Sequence, residues 1–235
     1  MTPPVPLMGE SPDLFTFLFL MVLIGMLPLL VVMTTSFTKI SIVLVLLRNA
    51  LGIQQAPSGL AISGLAMAAT LLVMAPVWEQ VTERVDFVAV LEGKQRPALA
   101  ELVDAGKRPL EQFMRKHVAP DELASLNKLV SDMHLKDDND TDAPAREQDS
   151  EQDSEPWLVL VSAFAISEIG TAFKIGMFIA VGFAVIDLIV ANLLMAMGMT
   201  MFPPSTVSIP LKLLIFVLTM GLSQLMHSLI ASYPR

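Results

Sequence analysis

Cysteine is absent from this sequence, which removes disulfide frameworks, thiolate nucleophiles and cysteine-based metal sites. Charge is scarce. Only 16% of the 235 residues are charged, against about 25% in an ordinary globular domain. What charge there is runs acidic, with 15 Lys+Arg against 23 Asp+Glu and a net charge of −8. That balance repels phosphate backbones and excludes a nucleic acid as partner. The three histidines, His117, His134 and His227, have no metal-ligand spacing to one another or to a second ligand. Also missing are GxSxG, a Walker loop, GxGxxG and HExxH. The chain therefore reads as non-enzymatic, without cofactor or bound metal, and ATP-driven transport by this chain alone has no support.

Long apolar runs are what the sequence has instead: hydrophobic residues make up 54% and the mean hydropathy is +0.63. Leu14–Thr38, Asn49–Trp78, Leu188–Leu211 and Leu213–Pro234 carry no charge. About 18 or more apolar residues mark a membrane-span candidate. Two shorter apolar pieces, Ile40–Leu47 and Trp157–Ser167, flank these runs. Hydropathy thus predicts four hydrophobic helices and a fifth or sixth of half length.

The first run lacks the basic leader of a signal peptide. No Lys or Arg precedes Lys39, and Glu10 and Asp13 stand in front of the run instead. A retained helix is expected. The basic residues Lys39 and Arg48 behind it place that side in the cytoplasm by the positive-inside rule. The segment Glu79–Pro156, with ten basic and nineteen acidic residues, then lies outside.

This polar insert divides in two. Residues 79–135 have helical spacing at Leu99, Leu102 and Val103, and again at Leu110, Phe113 and Met114. Pro109 is expected near a helix start, where its missing N–H costs nothing. Pro120 opens a further short helix, with Asp121 and Glu122 in the first turn favoured by the dipole. Residues 136–156 carry nine acids, two bases and the direct repeat EQDSEQDSE. This composition offers too little apolar surface to offset ordering entropy and reads as a disordered spacer. The fold class is therefore all-α. Residues 1–78 form N-terminal hydrophobic helices, 79–135 a small polar helical domain, 136–156 the spacer, and 157–235 the C-terminal hydrophobic helices.

Four charged residues interrupt or end apolar runs: Lys39, Glu168, Lys174 and Asp187. Ionisable groups at membrane depth mark pathways or assembly contacts, whereas at helix ends they only reach the interface. Glu168 and Lys174 are six apart, so they do not face each other on a helix and call for partners elsewhere. Ala172, Gly176, Ala180 and Ala184 fall at successive i+4 positions, a small-residue stripe that admits a close helix neighbour. Four Met alternate at 195, 197, 199 and 201, followed by Phe202-Pro203-Pro204. Gly198 and the Pro pair predict a bend there. On composition alone these Met serve as apolar filler. A deformable pore seal is the sharper alternative, since Met is flexible and polarizable.

Longer motifs carry a resemblance. Ser36-Phe37-Thr38-Lys39-Ile40-Ser41, Leu47-Arg48-Asn49-Ala50-Leu51-Gly52, Met74-Ala75-Pro76-Val77 and Arg108-Pro109-Leu110 closely resemble the FliP/SctR family of type III secretion export-apparatus proteins. So do Phe164-Ala165-Ile166-Ser167-Glu168-Ile169, Ala172-Phe173-Lys174-Ile175-Gly176, Ile186-Asp187-Leu188-Ile189-Val190-Ala191 and Ile209-Pro210-Leu211-Lys212. The resemblance covers the chain except the acidic spacer and the extreme N-terminus. It implies a homopentamer joined by SctS/FliQ-like and SctT/FliR-like subunits and other export-apparatus proteins. It further implies a gate in the bacterial inner membrane that passes unfolded secretion substrates, the polar insert on the periplasmic side and the helices bent into hairpins. In the family a methionine-rich loop seals the closed pore, and that role falls here on Met199, Thr200, Met201 and Phe202. The usual run of three Met is broken by Thr200. At Thr219-Met220-Gly221-Leu222 only the Gly of a common Asp-Gly-Trp motif remains, and Gly182 stands where many members have Pro. These departures fit an injectisome protein better than a flagellar one. The resemblance gives Lys39, Glu168, Lys174 and Asp187 the role of buried polar contacts that fix subunit register. The rival reading is an independent small-solute transporter or channel. It predicts an inverted repeat between the two halves, which the sequence does not show.

Overall fold

The computed structural model describes residues 14–53, 57–84, 99–137 and 157–233. The acidic spacer from 138 to 156, and the side chains of Leu99, Leu102, Val103 and His134, lie outside the described residues. All regular structure among the described residues is helical, as expected. The helices, in chain order, are α1 (Leu14–Thr34), α2 (Phe37–Ala50), α3 (Gly59–Val73), α4 (Ala75–Arg84) and α5 (Leu99–His117). They continue with α6 (Pro120–Asp137), α7 (Trp157–Ala196), α8 (Ser205–Leu218) and α9 (Gly221–Ala231).

Among them, α7 alone is long and apolar enough to cross a membrane unaided. There are up to four spans if each bent helix pair counts as one. The bends are 80° between Pro28–Thr34 and α2, 59° between α3 and α4, and 61° between α8 and α9. Each has a local cause. At the first, the Thr34 hydroxyl donates to the Leu30 carbonyl at 2.8 Å and the Thr38 hydroxyl to the Val32 carbonyl at 2.7 Å. Side chains thus occupy carbonyls near the break, where the helix leaves backbone acceptors open. At the second, Pro76 has no N–H to continue the ladder. At the third, Met220 adopts a left-handed φ of 49°.

The expected helix boundaries shift accordingly. The first apolar run stops at Thr34 rather than Thr38, and Ile40–Leu47 belongs to α2, with Lys39 and Arg48 inside that helix. Trp157–Ser167 is no half-length piece. It continues through Glu168, Lys174 and Asp187 into a helix of 40 residues. Pro109 lies in the interior of α5, not near its start. Interior Pro costs about 3 kcal/mol, but the ring is fully buried and the next turn carries buried Phe113 and Met114. Burial of that face outweighs the lost bond. Pro120 does open α6, with Asp121 and Glu122 in its first turn.

The core gathers where α2 lies against α7. Ile40 and Val43 of α2, Leu160 and Phe164 of α7, Met114 of α5 and Leu229 of α9 are the most completely buried apolar side chains. The small-residue stripe sets the distance. Ala172 is buried, and a Cβ on Gly176 would lie 2.2 Å from Leu46 Cδ1 and 2.9 Å from Leu46 Cβ. The N-terminal half of α7 is therefore a core helix. Beyond Gly176 many of its apolar side chains, among them Phe178, Val181, Val185, Leu188 and Leu193, are more than half exposed, while Val190 and Leu194 stay buried.

This close approach makes a prediction. A helix-interior Gly→Ala change ordinarily gains up to about 1 kcal/mol. At Gly176 the new Cβ meets the base of Leu46 rather than a mobile tip, and overpacking costs about 1–3 kcal/mol. Gly176→Ala should lower the thermal midpoint in detergent. Gly64→Ala, with nothing within 4 Å of the new Cβ, should raise it or leave it unchanged.

Candidate functional site

Two ion pairs tie α7 to its neighbours at different heights. The deeper joins Lys39 of α2 to Glu168 of α7, with Nζ and Oε1 3.8 Å apart and both side chains buried. Tyr233, just past α9, donates its hydroxyl to the second Glu168 oxygen. The Lys39 ammonium also sits 4.2 Å from the centre of the Tyr233 ring. That ring stacks on Phe113 at 5.9 Å, and Phe113 meets Phe164 edge-on. Beside them Ser167 accepts a hydrogen bond from the Ala119 amide at 3.0 Å. The carboxylate thus has a cation and a phenol as partners. Without them a buried charge would cost several kcal/mol.

The second pair joins Asp187 of α7 to Lys212 of α8 at 2.6 Å. Lys212 Nζ also donates to the Ala50 carbonyl at 3.2 Å. One ammonium therefore ties α7, α8 and the C-terminal end of α2. Lys212 is buried while the Asp187 side chain is 48% exposed. It borders an open groove of about 1,020 Å³ whose lining includes Ala180, Ala184 and Ala191. The stripe thus has two parts. Ala172 and Gly176 pack on α2, while Ala180 and Ala184 face this groove. Lys174 is brought to neither pair and lies exposed on α7.

The Met-rich stretch forms the turn between α7 and α8. Gly198, at φ +77°, takes the left-handed position that ends α7. The Gly198 amide donates to the Met195 carbonyl and the Met199 amide to the Leu194 carbonyl, both at 3.0 Å. These two crossed bonds are the Schellman arrangement, which satisfies the last carbonyls of a helix. Phe202 N then bonds Met199 O at 3.3 Å, and Pro204 precedes the first turn of α8. The backbone is pinned while the side chains project. Met201 is 97% exposed, and Met197, Met199 and Phe202 are 65%, 41% and 39% exposed. Among the described residues, no three His, Asp or Glu gather to hold a metal ion.

Two residues of these clusters escaped the sequence reading. Lys212 is the single charge dividing Leu188–Leu211 from Leu213–Pro234, and that position was a signal. Tyr233 is the only Tyr in the chain, and nothing local marks it, since its partner lies 65 positions away.

Removing one member of a buried pair costs about 3–5 kcal/mol because it strands the other charge, whereas replacing both by apolar residues is often neutral. Lys39→Met alone should therefore sharply lower the thermal midpoint in detergent. The double variant Lys39→Met with Glu168→Met should recover most of that loss.

Residues 20–229 match the FliP family. The chain is 39% identical over 224 residues to the "Harpin secretion protein HrcR" of Erwinia amylovora, spanning 95% of this chain and 98% of that one. It is 36% identical over 228 residues to the "Yop proteins translocation protein R" of Yersinia pestis, spanning 96% and 99%. To the "Flagellar biosynthetic protein FliP" of Caulobacter vibrioides it is 38% identical over 216 residues, spanning 92% and 75%. A family match that runs through both ion pairs and the Met turn, together with two secretion relatives matched over 98% and 99% of their length, makes this chain a member of the FliP family.

Proposed function

We propose that this chain is a pore-forming, non-enzymatic core subunit of a type III secretion export gate. It acts in a bacterial inner membrane and lets unfolded protein substrates through. Relatives named for harpin secretion and Yop translocation support the secretion role and the injectisome side of the family. The observation that carries the gate itself is the Met turn. Its backbone is pinned by two hydrogen bonds, while Met201 stands almost fully exposed at the tip with Met199 and Phe202 partly exposed beside it. Side chains exposed in one copy can close an axis only when several copies meet, as they would in the homopentamer that the family resemblance implies. Met then supplies a seal that yields to varied cargo.

The length of α7 supports the same reading. Its 40 residues span about 60 Å, roughly twice the hydrocarbon thickness of a bilayer. The core half is covered by α2, α5 and α6. The exposed apolar half is left for lipid, for further copies or for SctS/FliQ-like and SctT/FliR-like subunits. Ala180, Ala184 and Asp187 lie on that half and exposed Lys174 just before it, where they set subunit register. The helical insert faces the periplasm, and the driving energy comes from other components of the apparatus.

Native mass spectrometry of the detergent-extracted protein, alone and with its gate partners, tests the assembly. A pentamer that takes up small hydrophobic subunits is expected, and a monomer or dimer indifferent to them would sink the reading. The seal has its own test. Met199→Ala with Met201→Ala should leave the gate assembled but raise resting ion conductance in planar bilayers. Unchanged conductance in an assembled double variant would remove the seal role.

A further inference from the structure

The outer side of α5 is rich in cations. From Lys107 to His117 the helix carries Lys107, Arg108, Arg115 and Lys116 against a single acid, Glu111. All four cations are exposed. Lys107 and Arg108 stand eight and seven positions before Arg115, which puts the three on one face, with Lys116 at its edge. Glu111, on the same face, is held by Arg115 at 3.1 Å. Among the described residues no carboxylate pairs with Lys107, Arg108 or Lys116. Arg115 and Lys116 lie in the last turn, where the helix dipole favours cations. That effect falls off within a turn and does not reach Lys107 and Arg108.

Two contacts seat this helix beside the first turns of α7. Lys107 Nζ lies 5.8 Å from the centre of the Trp157 ring. The Ala119 amide, just past α5, donates to Ser167 at 3.0 Å. The helix and the start of α7 therefore run side by side in the same direction, with Lys107 level with Trp157. The chain that leads into Trp157 is strongly acidic. Residues 147–155 read EQDSEQDSE, three Glu and two Asp with no base. Glu155 is two residues from Trp157, so the two lie within about 7 Å. Nine extended residues cover up to about 30 Å, whereas Lys107 to Arg115 is about 12 Å along the helix. The acidic run is thus long enough to follow the whole row of cations.

A single exposed ion pair is worth little, so the attraction rests on several carboxylates facing several cations at once. Attraction of this kind follows charge density rather than a packed fit, and a run with no large apolar residue can supply it. Tethering at Trp157 holds the acids at high effective concentration beside the cations. We propose that the basic face of α5 binds the acidic segment 147–155 of the same chain. Acids near Glu155 meet Lys107 and Arg108, and acids near Glu147 meet Arg115 and Lys116. This docking is independent of the Met seal and of the number of copies in the gate.

A water-soluble carbodiimide joins an amine to a carboxylate only where the two touch, and mass spectrometry of the full chain in neutral detergent maps the links. The wild type at low salt should link Lys116 to Glu147 or Asp149, and Lys107 to Asp153 or Glu155. Lys128, exposed on α6, should link to the same acids several-fold less. Raising salt from about 0.1 M to about 1 M shortens the screening length from about 10 Å to about 3 Å and should cut the Lys116 links about fivefold. Arg108→Glu with Arg115→Glu removes no amine but inverts half of the face, and should cut them as far at low salt. Links to Glu155 alone, equal yields at Lys128 and Lys116, or Lys116 links that persist at high salt would overturn the proposal. So would links recovered only in a covalent dimer, which would assign the face to a neighbouring copy. The wild-type salt series decides even if the double variant fails to fold.

Discussion

The seating of α2 on α7 is the contact on which the other elements depend. It needs a glycine at 176, because any Cβ there would enter Leu46. It also needs a counter-ion for Glu168, because a carboxylate in that position has lost its water. Lys39 and Tyr233 meet the second need from opposite ends of the chain. Tyr233 brings the C-terminus of α9 into the core, and its ring carries Phe113 and hence α5. One buried charge thus organises segments that are distant in sequence. Buried ionic groups are weak sources of stability, and their best-attested use is to specify one arrangement among several. Here the arrangement specified is the register of α7 against everything around it.

The second ion pair stands one functional step further on. Lys212 reaches both Asp187 and the Ala50 carbonyl, so it holds the two legs of the Met turn against the end of α2. The turn's own backbone is closed by its crossed hydrogen bonds. A rigid stem and soft, unpacked side chains at the tip are the combination a reversible seal requires. In the proposed seal the stem would keep the Met at a fixed place, and their rotamer freedom would let them follow the shape of a passing chain. The groove beside Asp187 and much of the C-terminal half of α7 stay uncovered in the single chain, and the proposed assembly would cover both.

Hydrophobic runs made the all-α class legible, and Gly198 with the Pro pair made the Met turn legible. Both are local properties: run length measures what a bilayer or core can take up, and a left-handed glycine ends a helix wherever it stands. The small-residue stripe was legible as a close approach, but only its first half, Ala172 and Gly176, meets a helix of the same chain. The helix ends at charged residues were misjudged for a definite reason. Glu168 looked like the end of an apolar piece because a lone carboxylate breaks a hydrophobic run, yet α7 passes straight through it once Lys39 and Tyr233 are in place. Pro109 was expected near a helix start for a similar reason. Local chemistry forbids it inside a helix, and only the burial of Phe113 and Met114 on the same helix overrides that rule.

The sequence by itself determined the secondary structure class, the membrane character, the family and the place of the Met turn, because each rests on composition or on residues close together in the chain. The tertiary structure decided which charges neutralise each other and where the long helix begins and ends. Those outcomes depend on groups 25 to 162 positions apart. Electrostatic pairing acts through space, and no spacing along the chain records it.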